Sequence, residues 1–206
     1  MAIGVLGGGL SKASREEEAL SVYGAELATL RRVGASENEI FITQNNLATT
    51  YQQLGRDEEA MRMLRDVYSG SMKLNGEEHP NALTAAANYA AMLGKLGRFK
   101  EARSLLHKTM AVARRVLGES HELTIKMRYN YAGALYNDAG GSLDVFREAV
   151  TTFEDLERTA RRVLGGAHPL TLNIEYSLRK SRAALAIREG DDVSAARAML
   201  DALKAA

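Results

Sequence analysis

The stretch QNNLATTYQQLGRDEEAMRMLR, Gln44 to Arg65, decides the fold. Leu47, Tyr51 and Leu54 recur at i, i+4 and i+7, so an α-helix puts them on one face. Gly55 follows, the residue type that takes positive φ at a helix end without steric cost. Beyond it Ala60, Met63, Leu64 and Val67 repeat the apolar spacing at i, i+3, i+4 and i+7. The segment reads as a helical hairpin, and a lone hairpin cannot enclose a core.

The hairpin recurs. Gly55 and Gly97 stand 42 residues apart, as do Leu54 and Leu96, Asn46 and Asn88, Ala48 and Ala90, Ala60 and Ala102, and Leu64 and Leu106. Gly76 and Gly118 open matching loops, GEEHP and GESHE, and Gly165 opens a third, GGAHP. Repetition at this period means a solenoid or a propeller. A propeller blade needs alternating β-branched strands, whereas these segments are rich in Ala, Leu, Met, Glu and Arg at a 3.6-residue period. The expectation is an all-α, right-handed α-solenoid of antiparallel helical hairpins with about nine helices.

Composition narrows the function. The 206 residues suffice for one core or a short repeat array. Charged residues make up 26% and aromatics 6%, with two prolines and no tryptophan, which suits a helical protein. A net charge of +1 supplies no field to draw the chain to nucleic acid or anionic lipid. Without cysteine there is no disulfide framework and no thiolate metal site, and an intracellular, cytoplasmic setting is expected. No apolar run reaches the length of a membrane span. The Gly-rich opening MAIGVLGGGL lacks a basic n-region and a cleavage site, so residues 1–14 read as a disordered leader.

Residues 15–206 read as a single helical-repeat domain. Arg15 to Val33 is amphipathic, with Ala19, Val22, Tyr23, Leu27, Leu30 and Val33 on one face. It aligns with a later second helix (Ala19 with Ala102, Tyr23 with Leu106), so 15–33 is half a repeat. Full repeats follow at 34–75, 76–117 and 118–164. The third is longer, because Ala132 to Ala149 spans 17 residues where Ala90 to Ala102 spans 12. The five extra residues are assigned to the loop around 137–142. A capping repeat occupies 165–206, where Arg179 and Arg182 replace Ala90 and Leu93 and that face is expected to meet solvent.

NNLATTYQQLGRDEEAMRMLR with GEEHP, then ANYAAMLGKLGRFKEARSLL and NYAGALYNDAGG…REAVTTF, resemble tetratricopeptide repeats of the kinesin light chain type. The likeness covers roughly residues 15–203 and includes the 42-residue period. The heptad segment that joins kinesin light chains to their heavy chain does not occur in this sequence, so motor membership is not implied.

The resemblance implies a concave groove lined by the first helix of each hairpin. The residues it places there are Asn45, Asn46, Thr49 and Gln53, then Asn88 and Lys95. Lys126, Tyr129, Asn130, Tyr136 and Asn137 continue the line, and Tyr176 and Lys180 end it. None is acidic, so the groove is expected to be neutral to mildly positive. Amides both donate and accept, which lets them pair with an extended backbone of any sequence. Tyrosines add contact area at low entropy cost. In kinesin light chains the Asn of NNLA contacts bound peptide, and by resemblance that role passes to Asn46, Asn88 and Asn130 and lapses at Ser177. A structural reading stands beside this, in which the same Asn bonds a neighbouring helix and the tyrosines pack between repeats.

His79, His121 and His168 recur in successive loops. Helices about 8–10 Å apart cannot bring three imidazoles to one ion at about 2 Å, so these read as helix-start residues beside Pro80 and Pro169. Acidic runs such as Glu16-Glu17-Glu18 and Asp57-Glu58-Glu59 suit the first turns of helices. No nucleophile, base and orienter converge at a readable spacing. The expectation is no catalytic residue, cofactor or metal, and a module that binds a protein or peptide partner. The runner-up is a structural subunit that holds its neighbours through the convex face, the ends and the apolar stripe of Arg15–Val33.

Overall fold

The turn at Gly55 shows how local chemistry sets the elements. Arg56 N–H donates to Tyr51 O at 2.8 Å and Gly55 N–H to Gln52 O at 3.3 Å, with Gly55 at φ 72°. This paired closure requires a left-handed residue, and glycine supplies it. The computed structural model describes residues 15–138, 140–190 and 193–205. Among them stand nine helices and no strand: α1 (Glu16–Val33), α2 (Glu37–Gln53), α3 (Asp57–Asn75), α4 (Pro80–Lys95), α5 (Phe99–Leu117), α6 (Glu122–Asn137), α7 (Leu143–Val163), α8 (Pro169–Glu189) and α9 (Val193–Ala205). The expected leader at 1–14 lies outside the described residues.

First helices start on recurring caps. Ser36 opens α2 with a capping box, its hydroxyl accepting from Glu39 N–H while the Glu39 carboxylate reaches back to Ser36 N–H. His79, His121 and His168 open α4, α6 and α8. Each Nδ1 accepts the backbone N–H two residues on, at 3.1, 3.1 and 3.2 Å. An accepting Nδ1 places the ring proton on Nε2. Three second helices, α1, α3 and α5, start on arginine: Arg15, Arg56 and Arg98 fork onto Glu18, Glu59 and Glu101 three residues later. That recurrence sets α1 in the register of a second helix.

Contacts divide the chain into two compact units, one ending at Leu96 and one beginning at Gly97. In the first, α2 packs between α1 and α3, α3 packs on α4, and the first helices α2 and α4 touch. Ala19, Tyr23, Leu27 and Leu47 form a core there, with Leu20, Ile40, Tyr51 and Met63 packed onto it. In the second unit α6 packs on α5 and α7, α8 on α7 and α9, and α6 touches α8. Ile125, Val150, Phe153, Leu156, Ile174 and Leu178 are buried among these helices. Each such side chain contributes roughly 1.5–3 kcal/mol.

Repeat-equivalent residues fill equivalent places. Leu47 meets α1, Tyr89 stacks on Tyr68 of α3 at 5.7 Å, and Tyr131 shares a cleft with His107 and Met110 of α5. Ala60, Ala102 and Ala149 are all fully buried, where a larger side chain would force helices apart. Val33 departs from its expected face: it is 65% exposed, because α1 ends beside it at Gly34.

The insertion in the third repeat is split. The connection from α6 to α7 runs 138–142, two residues longer than the Leu96–Arg98 connection, and the other three residues extend α7 at its start. Leu143, Asp144 and Val145 form that added turn, after which Phe146 takes the register of Phe99. Loop-like composition at Gly140-Gly141-Ser142 marks the place but not the extra helical turn. Arg179 and Arg182 are exposed as expected, Arg182 reaching Glu154 at 2.6 Å.

Candidate functional site

The first helices divide the predicted groove residues into two registers. One register is open. Ile42, Asn46, Thr49 and Gln53 lie at i, i+4, i+7 and i+11 on α2 and all four are exposed. Their counterparts are Thr84, Asn88, Ala91 and Lys95 on α4, then Lys126, Asn130, Gly133 and Asn137 on α6, then Asn173, Ser177, Lys180 and Ala184 on α8. Lys126, Asn137 and Asn173 are exposed, Asn130 and Lys180 half-buried, and Ala184 buried.

The other register is a seam between neighbouring first helices. It holds Asn45, Gln52, Tyr129, Tyr136 and Tyr176, each one residue before an open position. Within the first unit Asn88 Nδ2 donates to Asn45 Oδ1 at 3.3 Å, and Lys95 Nζ donates to Gln52 O at 3.2 Å. Asn81 Nδ2 donates to Asn38 Oδ1 at 3.3 Å, while Asn75 Nδ2 donates to the same oxygen at 2.8 Å. Three of these bonds join residues 43 apart: 38 to 81, 45 to 88 and 52 to 95. Within the second unit Tyr129 OH lies 3.3 Å from Ser177 Oγ, and its ring meets Phe153 edge-on at 6.0 Å. Tyr136 meets Phe146 edge-on at 6.1 Å, with Lys180 Nζ 5.7 Å from its ring centre. Burial pushes the Tyr136 phenol above the ordinary tyrosine range, a shift Arg188 opposes.

Tyr129 and Tyr136 thus pack between helices, and Asn88 spends one donor on Asn45. Tyr176 is different: it is 44% exposed, with its hydroxyl 3.4 Å from Leu203 O on α9. Thr49 donates to Asn45 O at 3.0 Å, and Asn137 Nδ2 to Gly133 O at 2.8 Å, one turn back in each case. Lys95 also pairs with Asp57 Oδ1 at 2.6 Å, so a carboxylate from α3 offsets one of the three expected positive charges. Sequence reading missed Asp57 because it belongs to another helix. Gly133 lies in the open register of α6, and a Cβ there would meet nothing within 4 Å, which leaves the centre of that face flat.

Among the described residues no group of three or more His, Asp or Glu could hold a metal ion. No helix among them is long and apolar enough to cross a membrane. The tetratricopeptide repeat family profile matches residues 39–104 and 81–141, together half of the chain. The chain belongs to the tetratricopeptide repeat family. No curated protein matches it. Among solved structures it resembles a Podosopora anserina protein of the kinesin light chain type with nearly identical TPR-like repeats. That protein is 22% identical, with a TM-score of 0.74 over 99% of this chain and 92% of the other. BtubC (BKLC) from P. vanneervenii is 19% identical, TM-score 0.72, over 98% and 77%. A Rap protein complexed with competence and sporulation factor is 16% identical, TM-score 0.72, over 97% of this chain and 51% of that one. At these identities the likeness is one of fold, and it places this tetratricopeptide repeat protein in the α-solenoid class.

Proposed function

We propose that the chain is a protein-interaction module that holds an extended peptide segment on the open register of first helices within a unit, α2 and α4 in the first. The supporting observation is the sorting of amides. Asn46 lies exposed in the open register of α2, whereas Asn88 one repeat on spends a donor on Asn45 across the seam. An exposed amide presents a donor pair and an acceptor to a passing backbone. The Rap protein of similar fold is complexed with competence and sporulation factor, which supports a binding role for this fold. Ile42, 53% exposed, supplies an apolar contact on the same face of α2.

The test is direct. Peptides selected from a random library on the immobilised full chain are titrated against wild type and against Asn46→Leu, which removes both the donor and the acceptor of that amide. Two lost hydrogen bonds, at about 1 kcal/mol each, predict affinity weaker by roughly 5- to 30-fold with helical content unchanged. Unchanged affinity would overturn the reading.

A second reading has its own observation. On α1, Ala19, Tyr23 and Leu27 are buried, while Leu20, Val22 and Leu30 are half-buried and Val33 is exposed. That residual apolar surface suits a structural subunit that docks a neighbour at this end. Sedimentation separates the two readings: a monomer at all concentrations contradicts self-association through α1.

A further inference from the structure

The side of α6 turned away from the open register carries an arginine that its own repeat leaves half-served. Arg128 stands about 200° around the helix from both Lys126 and Asn130. In α4 the same register holds Ala86, which is fully buried, and in α8 it holds Glu175. An interior register has therefore become charged in the second unit. The Arg128 side chain is only 12% exposed, its Nε is buried without a hydrogen-bond partner, and its Nη1 reaches Glu119 Oε2 at 3.5 Å, the far limit of a hydrogen bond. Burial lowers its pKa from the ordinary arginine value, with Glu119 opposing. Glu175 is held more closely, with Arg161 Nη2 at 2.8 Å in a contact too bent for a hydrogen bond to Oε1 and Arg179 Nη2 at 3.7 Å.

Two clefts of about 500 and 510 Å³ meet at Arg128 and Asp155, on the face formed by α5, α6 and α7. Arg158 and Arg162 line the first and Arg114 the second. Against these four guanidinium groups stand Glu119 and Asp155, with Glu148 at the far wall bonded to Tyr131 OH at 3.0 Å. Glu119 is shared between Arg114, at 3.0 Å, and Arg128, and Asp155 engages Arg158. Across the two clefts four guanidinium groups therefore face three carboxylates. One positive charge remains, and the unserved Nε–H of Arg128 offers a donor to an oxyanion entering the cleft.

We propose that this cleft, floored by Arg128, binds a phosphate monoester carried on a side chain of a partner protein. A phosphate offers three acceptor oxygens to planar guanidinium forks and brings close to two negative charges at neutral pH. Arg128 supplies the low-dielectric floor, Arg158 and Arg162 the rim. The site lies off the open register, so it stands or falls independently of the peptide reading.

The test follows arginine Nε–Hε resonances of the full chain while a blocked phosphoserine residue (N-acetyl, C-amide) is titrated at pH 7.5. Parallel titrations use inorganic phosphate and acetate at matched ionic strength. The expected result is a saturable shift centred on Arg128 and Arg162, with Kd near about 1 mM for so small a probe. It strengthens as pH rises from about 5.5 to 7.5, as the phosphate loses its second proton near pH 6. Arg162→Gln, at an exposed position that keeps the fold intact, weakens it at least fivefold, while Asn46→Leu leaves it unchanged. No saturable shift, an equal response to acetate, binding of inorganic phosphate without blocked phosphoserine, or an unaltered Arg162→Gln titration would each overturn the proposal.

Discussion

Gly133 and Gly70 are both helical glycines, and their surroundings give them opposite consequences. A Cβ at Gly133 meets open space, so Gly133→Ala stabilises by about 0.4–1 kcal/mol through the lost freedom of the unfolded chain. A Cβ at Gly70 falls 2.3 Å from Phe41 Cζ, so Gly70→Ala forces the ring or α3 to shift and costs about 1–3 kcal/mol. Urea unfolding midpoints of the two variants, moving in opposite directions, check this pair. Legibility divides at the same scale. The open register was readable because i, i+4, i+7 and i+11 share a helix face whatever the partner. Asn45 was unreadable as a seam residue, since its bond to Asn88 depends on how closely α2 approaches α4. A residue's periodicity gives its face, and only packing says whether that face is covered.

At the scale of elements, the caps carry the predictions. His168 accepts from Leu170 N–H at the start of α8, so His168→Ala leaves that donor to water and costs about 0.5–2 kcal/mol, whereas His168→Asn keeps an acceptor and most of the stability. Thermal or urea unfolding distinguishes the two. Three carboxylates give the acid response. Glu39 is held below the usual carboxylate range by Ser36, Glu59 by Arg56 and Glu101 by Arg98. Groups with depressed folded-state values contribute fully above the unfolded value and lose that contribution as pH falls through the folded one. Stability is thus expected to hold level above about pH 5 and decline below it, and in Glu59→Gln with Glu101→Gln the decline is shallower. The sequence exposed the caps as helix starts from Pro80, Pro169 and the acidic runs. It hid the histidine acceptor role, because imidazole is a rare cap and its geometry is visible only in coordinates.

Across the whole molecule, repetition made the fold readable from one hairpin. Ala60, Ala102 and Ala149 keep their burial through an insertion of five residues, since the extra turn of α7 returns Phe146 to the register of Phe99. The division into two units had no such trace: Leu96-Gly97 repeats Leu54-Gly55, which lies inside the first unit. Phe153 is fully buried and touches Tyr129, so Phe153→Ala removes a ring from the centre of the second unit's core and costs about 3–5 kcal/mol, read by calorimetry. The peptide reading makes the broadest claim, because it needs one face of neighbouring helices to act as a surface. Backbone amide shifts of the full chain, recorded as the tightest selected peptide is added, test it most directly. The account predicts shifts that follow Asn46, Thr49 and Asn88 on the first helices of the first unit and spare Arg65, Lys108 and Arg158 on the second helices. Shifts gathered on those second helices, with the first-helix amides silent, would contradict it.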